Sequence, residues 1–143
     1  MFFVAFPRFS MTTNIFISLP VEDLQKSKMF YEALGYKVNA QASSETAVCI
    51  VISDTISVML ATHAIFQTIS PKPMSDAKKF CQVLLSLTCD SREEVDTLVA
   101  KAVAAGGMKA HEPEDYGFMY QSGFYDLDGH GWGLMWMDPT KAE

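Results

Sequence analysis

Residues 14–35 read NIFISLPVEDLQKSKMFYEALG, and the change of period inside this stretch decides the fold. Residues 14–19 are almost wholly apolar, the pattern of a strand buried on both faces. Pro20 closes the strand, because proline brings no amide to a ladder. Asp23 stands where a helix N-cap belongs. Leu24, Tyr31 and Leu34 then recur at helical spacing, with Phe30 widening the stripe, so a helix is expected over 24–34. Gly35 follows as its stop.

Downstream, residues 36–41, 47–53 and 56–61 read as three strands, the last two joined by a short turn at Asp54-Thr55. Residues 62–79 read as irregular, since Pro71 and Pro73 forbid a continuous helix, and 70–75 is the best linker candidate. The order then repeats. Residues 80–89 form an apolar strand, and Ser91 with Glu94 makes an S-x-x-E capping box. The helix that follows runs to about residue 105, with Val95, Leu98, Val99 and Ala102 on one face. Gly106-Gly107 stops it. Residues 108–111, 118–126 and 131–137 read as three more strands, and Asp128-Gly129 is a hairpin signal between the last two.

The organisation is strand, helix and three strands, twice over. Neither half can bury its sheet face alone, so the two must close on each other. The expected fold is α+β, with two tandem βαβββ modules forming a curved mixed eight-stranded sheet. The expected boundaries are an N-terminal extension over 1–13, one domain over 14–138 and a tail over 139–143. Within the domain, module one covers 14–62, a linker 63–79 and module two 80–138.

Bulk properties narrow the function. The 143 residues suit one domain. A formal charge of −6 repels phosphate backbones and argues against a nucleic-acid partner. No apolar run approaches the ~20 residues of a membrane span. Cys49, Cys81 and Cys89 are odd in number and have no CxxC spacing. They read as reduced thiols of a cytoplasmic protein. No nucleotide-binding, serine-hydrolase or H-E-x-x-H motif is present.

Three segments together resemble one superfamily. Residues 19–35, LPVEDLQKSKMFYEALG, are similar to the opening motif of vicinal-oxygen-chelate proteins, the glyoxalase, bleomycin-resistance and extradiol-dioxygenase relatives. Residues 89–99, CDSREEVDTLV, with Ala105-Gly106-Gly107, resemble the second helix motif, and residues 124–138, FYDLDGHGWGLMWMD, resemble the closing hairpin. The resemblance implies a cup on the concave side of the sheet. In metal-using members four inward positions carry His, Gln or Glu, and the ion chelates two adjacent substrate oxygens as a Lewis acid. It also implies a homodimer.

Carried onto this sequence, the four positions are Phe16, Met59, Leu84 (Ser86 if the register shifts by two) and Gly133. None is a usual ligand, and a working site needs about three. No cofactor is therefore expected, with a divalent metal as the runner-up through His63, His111 or His130. His130 otherwise reads as a turn-packing residue.

Side chains alternate along a strand. Phe16 and Ser18 share one face of the first strand, and Leu84 and Ser86 share one face of the fifth. Gly133 leaves room where a glutamate would stand, either for ligand or for a neighbouring side chain. Tyr116 and Tyr120 read as stacking or hydrogen-bonding groups at the pocket edge.

The expected ligand-binding set is Phe16, Ser18, Met59, Leu84, Ser86, Tyr116, Tyr120 and Gly133. The expected ligand is a small, partly aromatic or apolar molecule. The alternative is a glyoxalase-like lyase or isomerase, or a dioxygenase-related enzyme, with a displaced metal or a metal-free acid–base mechanism. Its base would be drawn from His63, His111, Glu112 or Asp115.

Overall fold

The computed structural model describes residues 13–141. The expected extension over 1–13 lies outside the described residues except for residue 13, and the expected tail over 139–143 is described as far as residue 141. Module one runs β1 (Ile15–Val21), α1 (Leu24–Ala33), β2 (Lys37–Asn39), β3 (Ala47–Val51) and β4 (Ile56–Thr62). The connector carries α2 (His63–Ile69). Module two runs β5 (Leu84–Thr88), α3 (Arg92–Ala104), β6 (Met108–Lys109), β7 (Glu114–Asp115), β8 (Met119–Tyr125) and β9 (Gly131–Met137).

The expected fold class holds, with one difference in how the strands join. They form a four-stranded sheet, β1-β4-β3-β2, and a five-stranded sheet, β5-β9-β8-β6 with β7 also on β8. In each module the first strand runs parallel to the last, β1 to β4 and β5 to β9. The α1 and α3 segments are the crossovers that such parallel pairs require. The first strands β1 and β5 do not pair with each other, so each is an edge within the described residues.

Caps fall where sequence chemistry placed them. The Asp23 carboxylate accepts from the Lys26 amide at 3.0 Å. Ser91 Oγ accepts from the Glu94 amide at 3.0 Å, and Glu94 Oε1 accepts from the Asp90 amide at 2.6 Å. These two bonds begin α3, the return bond reaching the residue before the cap instead of the cap itself.

Several boundaries differ from expectation: the strand expected over 36–41 ends at Asn39 and gives way to a 3-10 turn, the strand expected over 108–111 is only Met108–Lys109, and β7 adds a ninth strand to the eight expected. The fifth strand begins at Leu84, not Phe80, because Leu84 pairs with Gly131, the first residue of β9, and β9 offers no earlier ladder position. The connector is also not wholly irregular. Thr62 Oγ1 accepts from the Ile65 amide at 3.3 Å and starts α2, while Pro71 forbids only its continuation.

One core serves both modules. It gathers Val21, Phe30, Tyr31, Leu34, Val58 and Leu60 from module one with Val95, Val99, Phe124, Trp132 and Leu134 from module two. Each fully buried large apolar side chain contributes about 1.5–3 kcal/mol of transfer free energy. Phe30 of α1 packs on Phe124 of β8 with ring centroids 6.0 Å apart, and Tyr31 lies edge-on to Trp132 at 6.1 Å. The first helix is thus built into the second module's core.

Candidate functional site

The core claims alternate residues of every long strand. Leu19 and Val21, Val58 and Leu60, Leu85 and Leu87, and Trp132, Leu134 and Trp136 belong to it. Their neighbours point to the opposite face of each sheet, away from the crossover helices α1 and α3, and this is the helix-free face in that sense, with α2 at the border of β1 and β4. On module one that face carries Phe16, Ser18 and Met59, with Ser18 beside Met59 across the β1–β4 register. On module two it carries Leu84, Ser86 and Gly133, with Ser86 beside Gly133. Six of the eight sequence-selected residues therefore lie on helix-free faces.

The space at Gly133 is already taken. A Cβ built there would lie 2.7 Å from the Ser86 hydroxyl. Leu84 does the same over Gly131, with its Cδ2 2.8 Å from such a Cβ. Of the two readings of Gly133, the structure favours the neighbouring side chain over added ligand volume. Phe16 and Leu84 are 60% and 65% exposed, so the face presents apolar groups to solvent.

Tyr116 and Tyr120 are not part of that face. Tyr120 packs against the core, and its hydroxyl donates to Asp96 of α3 at 2.7 Å. That bond pushes the phenol up to about 12. The Arg92 guanidinium stacks 4.7 Å over Trp136 and 5.7 Å from the Tyr120 ring. Tyr116 is exposed in the bend before β8, beside Gly117 and Phe118.

The four family ligand positions hold two apolar side chains, a thioether and a glycine. Together they offer no nitrogen or oxygen donor, and Ser86 adds only a neutral hydroxyl. Hard or borderline divalent ions need carboxylate, imidazole or thiolate groups. The residues present therefore do not fit the family's metal. Among the described residues no three His, Cys, Asp or Glu side chains converge in a group that could hold an ion.

The proposed bases are dispersed. His111 Nδ1 lies 2.8 Å from the Glu112 carbonyl, and Glu112 faces Lys109 at 3.3 Å. Asp115 accepts from the Gly117 amide and then from Arg92, which hold its carboxyl below the ordinary range and make it a poor base. His63 begins α2, and with His130 it lines one hollow beside Glu22 and Asp128.

His130 does more than pack a turn. Its Nε2 lies 2.8 Å from the Pro20 carbonyl, which only accepts, so that nitrogen carries the proton. Asp128 Oδ1 accepts from the Glu22 amide at 2.9 Å, and Oδ2 accepts from the Ser27 hydroxyl at 3.1 Å. Gly129 between them has φ +91°, and a Cβ there would lie 2.8 Å from the Ala77 carbonyl. The Asp128-Gly129-His130 turn is a latch from module two onto the start of α1 and the connector. Sequence reading missed it because the partners lie about a hundred residues away.

Comparison with known proteins agrees with this geometry. Residues 13–53 match the family described as bleomycin resistance protein-like N-terminal. The chain is 35% identical to hypothetical protein SA1046 from S. aureus over 88% of this chain and 94% of that one, with a TM-score of 0.74. A glyoxalase/bleomycin resistance protein/dioxygenase family enzyme from Burkholderia phytofirmans PsJN is 19% identical over 85% and 96%, with a TM-score of 0.71. A glyoxalase-related enzyme from Fulvimarina pelagi is 18% identical over 90% and 88%, with a TM-score of 0.73. No curated protein sequence matches.

The fold is that of a paired-module, glyoxalase-like protein. The chain belongs to the vicinal-oxygen-chelate superfamily of glyoxalases, bleomycin resistance proteins and dioxygenases, and its first module carries the bleomycin-resistance-like signature.

Proposed function

We propose that this protein binds a small, partly aromatic or apolar molecule on the helix-free face of its paired sheets, without the superfamily's metal. The observation that carries this reading is the occupancy of the four ligand positions by Phe16, Met59, Leu84 and Gly133, with Ser86 filling the space at Gly133. Such a face gives apolar contact and neutral hydrogen bonding. It gives no Lewis acid and no positioned base.

The same reading makes the protein a cytoplasmic homodimer. The large exposed fractions of Ile15, Phe16 and Leu84 support a second copy, since each leaves apolar area for a partner to cover. Among the described residues no helix is long and apolar enough to cross a membrane.

The test has two arms. Elemental mass spectrometry on untagged protein purified without chelator is expected to find less than ~0.1 divalent ion per chain, where a metal-using relative would hold near-stoichiometric ion. A thermal-shift screen of planar aromatic ligands is expected to raise Tm, since ligand at 100 times Kd adds about 2.7 kcal/mol. The rise should disappear in Ser86→Phe, whose ring blocks the face. Near-stoichiometric metal would overturn the metal-free reading and favour the lyase or isomerase. A screen without a single shift would overturn ligand binding.

A further inference from the structure

The structure holds a recess at the seam between the modules, at the border of the helix-free face. Its walls are Ile17 and Leu19 on the unpaired edge of β1 and Leu85 on β5, and its roof is Phe66 of α2 with Met74 and Phe80 of the connector. The recess measures about 250 Å³. That lies between the ~150 Å³ of a cavity that takes up benzene and the ~300 Å³ at which drug-sized pockets begin. It suits one aromatic ring with a short chain.

The recess has a polar end. Pro20, Met74, Ser75, Ala77 and His130 line both it and an adjoining hollow whose other walls include Glu22, His63, Asp76, Lys78 and Asp128. The hollow carries three carboxylates against one ammonium. Asp128 is committed to the Glu22 amide and the Ser27 hydroxyl, and one oxygen of Asp76 accepts from the Lys78 amide. The Glu22 carboxylate and the second Asp76 oxygen have no partner among the described residues. A positively charged group is the complement to such a mouth, whereas a carboxylate would be repelled.

We propose that the seam recess is a binding site for an arylalkyl amine. The ring enters between β1, β5 and α2, and the ammonium lies at the mouth with Glu22 and Asp76. The site borders the helix-free face at Ser18 and Gly131, and the methionine signals tell binding in the recess from binding on that face.

The probes are 2-phenylethylamine, 2-phenylethanol, 3-phenylpropionate and propylamine, titrated into the full-length chain by calorimetry. The amine with the ring is expected to bind about two- to fivefold tighter than the alcohol, the strength of one exposed charge pair. It should bind about ten- to a hundredfold tighter than propylamine, which lacks the ring. The acid should not bind.

Glu22→Gln with Asp76→Asn should remove the preference for amine over alcohol and leave the alcohol's affinity unchanged. Phe66→Ala should weaken both. The location is read without any variant from carbon-13 methyl signals of the methionines. Met74 lines the recess, whereas Met59 and Met135 lie on the helix-free face. A shift confined to Met74 is the expected result. A shift at Met59 or Met135 without Met74, equal affinity for all four probes, no binding of the ring-bearing amine, or an amine preference surviving in the double variant would each overturn the proposal.

Discussion

Tyr31 of the first module donates its hydroxyl proton to Asp126 of the second at 2.5 Å and accepts from Trp132 Nε1 at 3.0 Å. All three residues are buried. Asp126 Oδ1 takes the amides of Asp128 and His130, both at 2.9 Å. The carboxylate therefore ties α1 to the turn that latches it. Burial raises the Tyr31 phenol well above its usual value and outweighs the lowering effects of His130 and Tyr31 on Asp126, whose carboxyl is raised too.

Tyr31→Phe leaves the Asp126 oxygen and the Trp132 N–H without partners in a closed core. A loss of about 1–3 kcal/mol is expected in urea unfolding. The loss should also depend on pH. A raised carboxyl contributes stability fully below its unfolded pKa of ~3.9, and that contribution is lost as pH rises through the folded value. The Tyr31 bond lowers that folded value, so removing it raises the carboxyl further. The variant's deficit should be smaller at pH 5 than at pH 7. Parallel pH profiles for the two proteins would refute the coupling.

Asp128→Ala removes the acceptors for the Glu22 amide and the Ser27 hydroxyl. It should cost about 1–2 kcal/mol, read as a lower Tm. Asp128→Asn keeps one carbonyl oxygen for the Glu22 amide and should retain at least half of the stability. Equal Tm values for the alanine variant and the parent would mean that the latch does not hold the modules.

Gly133→Ala brings a methyl to 2.7 Å from Ser86 Oγ, so it should cost roughly 1 kcal/mol as Ser86 turns away. In a Ser86→Ala background the nearest atom is the residue 86 Cβ at 3.5 Å, an ordinary contact, and the same change should be nearly neutral. A double-mutant cycle measures the difference. Additive effects would show that Ser86 does not occupy the position.

The two partly accessible thiols should separate by rate. Cys81 is exposed, whereas burial, with Glu94 and Asp90 adding, pushes Cys89 up to about 11. Thiolate is the reactive form, so an aromatic disulfide reagent at pH 8 should titrate one thiol quickly. Cys81→Ser should abolish that phase and Cys89→Ser should leave it. A fast phase lost in Cys89→Ser would contradict the placement.

Legibility followed the range of the interaction. Asp23, Ser91 with Glu94, and Gly35 act within one turn of chain, and each was readable because cap and partner are neighbours in sequence. The donor-poor ligand positions come from the resemblance of the motifs to the superfamily, and strand alternation fixes the faces they share. The α2 helix is not legible in the sequence because Pro71 and Pro73 argue against a continuous helix over the connector, although Pro71 limits only one end of it. The side that Tyr120 takes is not legible in the sequence, because its aromatic surroundings suit either side of a sheet. Only its bond to Asp96 shows the side it takes.

The sequence by itself determined the paired βαβββ order, the helix caps and the absence of ligating side chains at the family positions. The first two follow from periodicity and turn chemistry, which act over a few residues, and the third from the residue types at positions that the resemblance names. Tertiary structure decided that α1 is built into the second module, that Asp128 grips the start of that helix and His130 the end of β1, and that Ser86 takes the space at Gly133. It also decided that the connector roofs a recess at the seam. Those contacts join residues far apart in the chain, and their geometry exists only once two separate sheets have closed on one core.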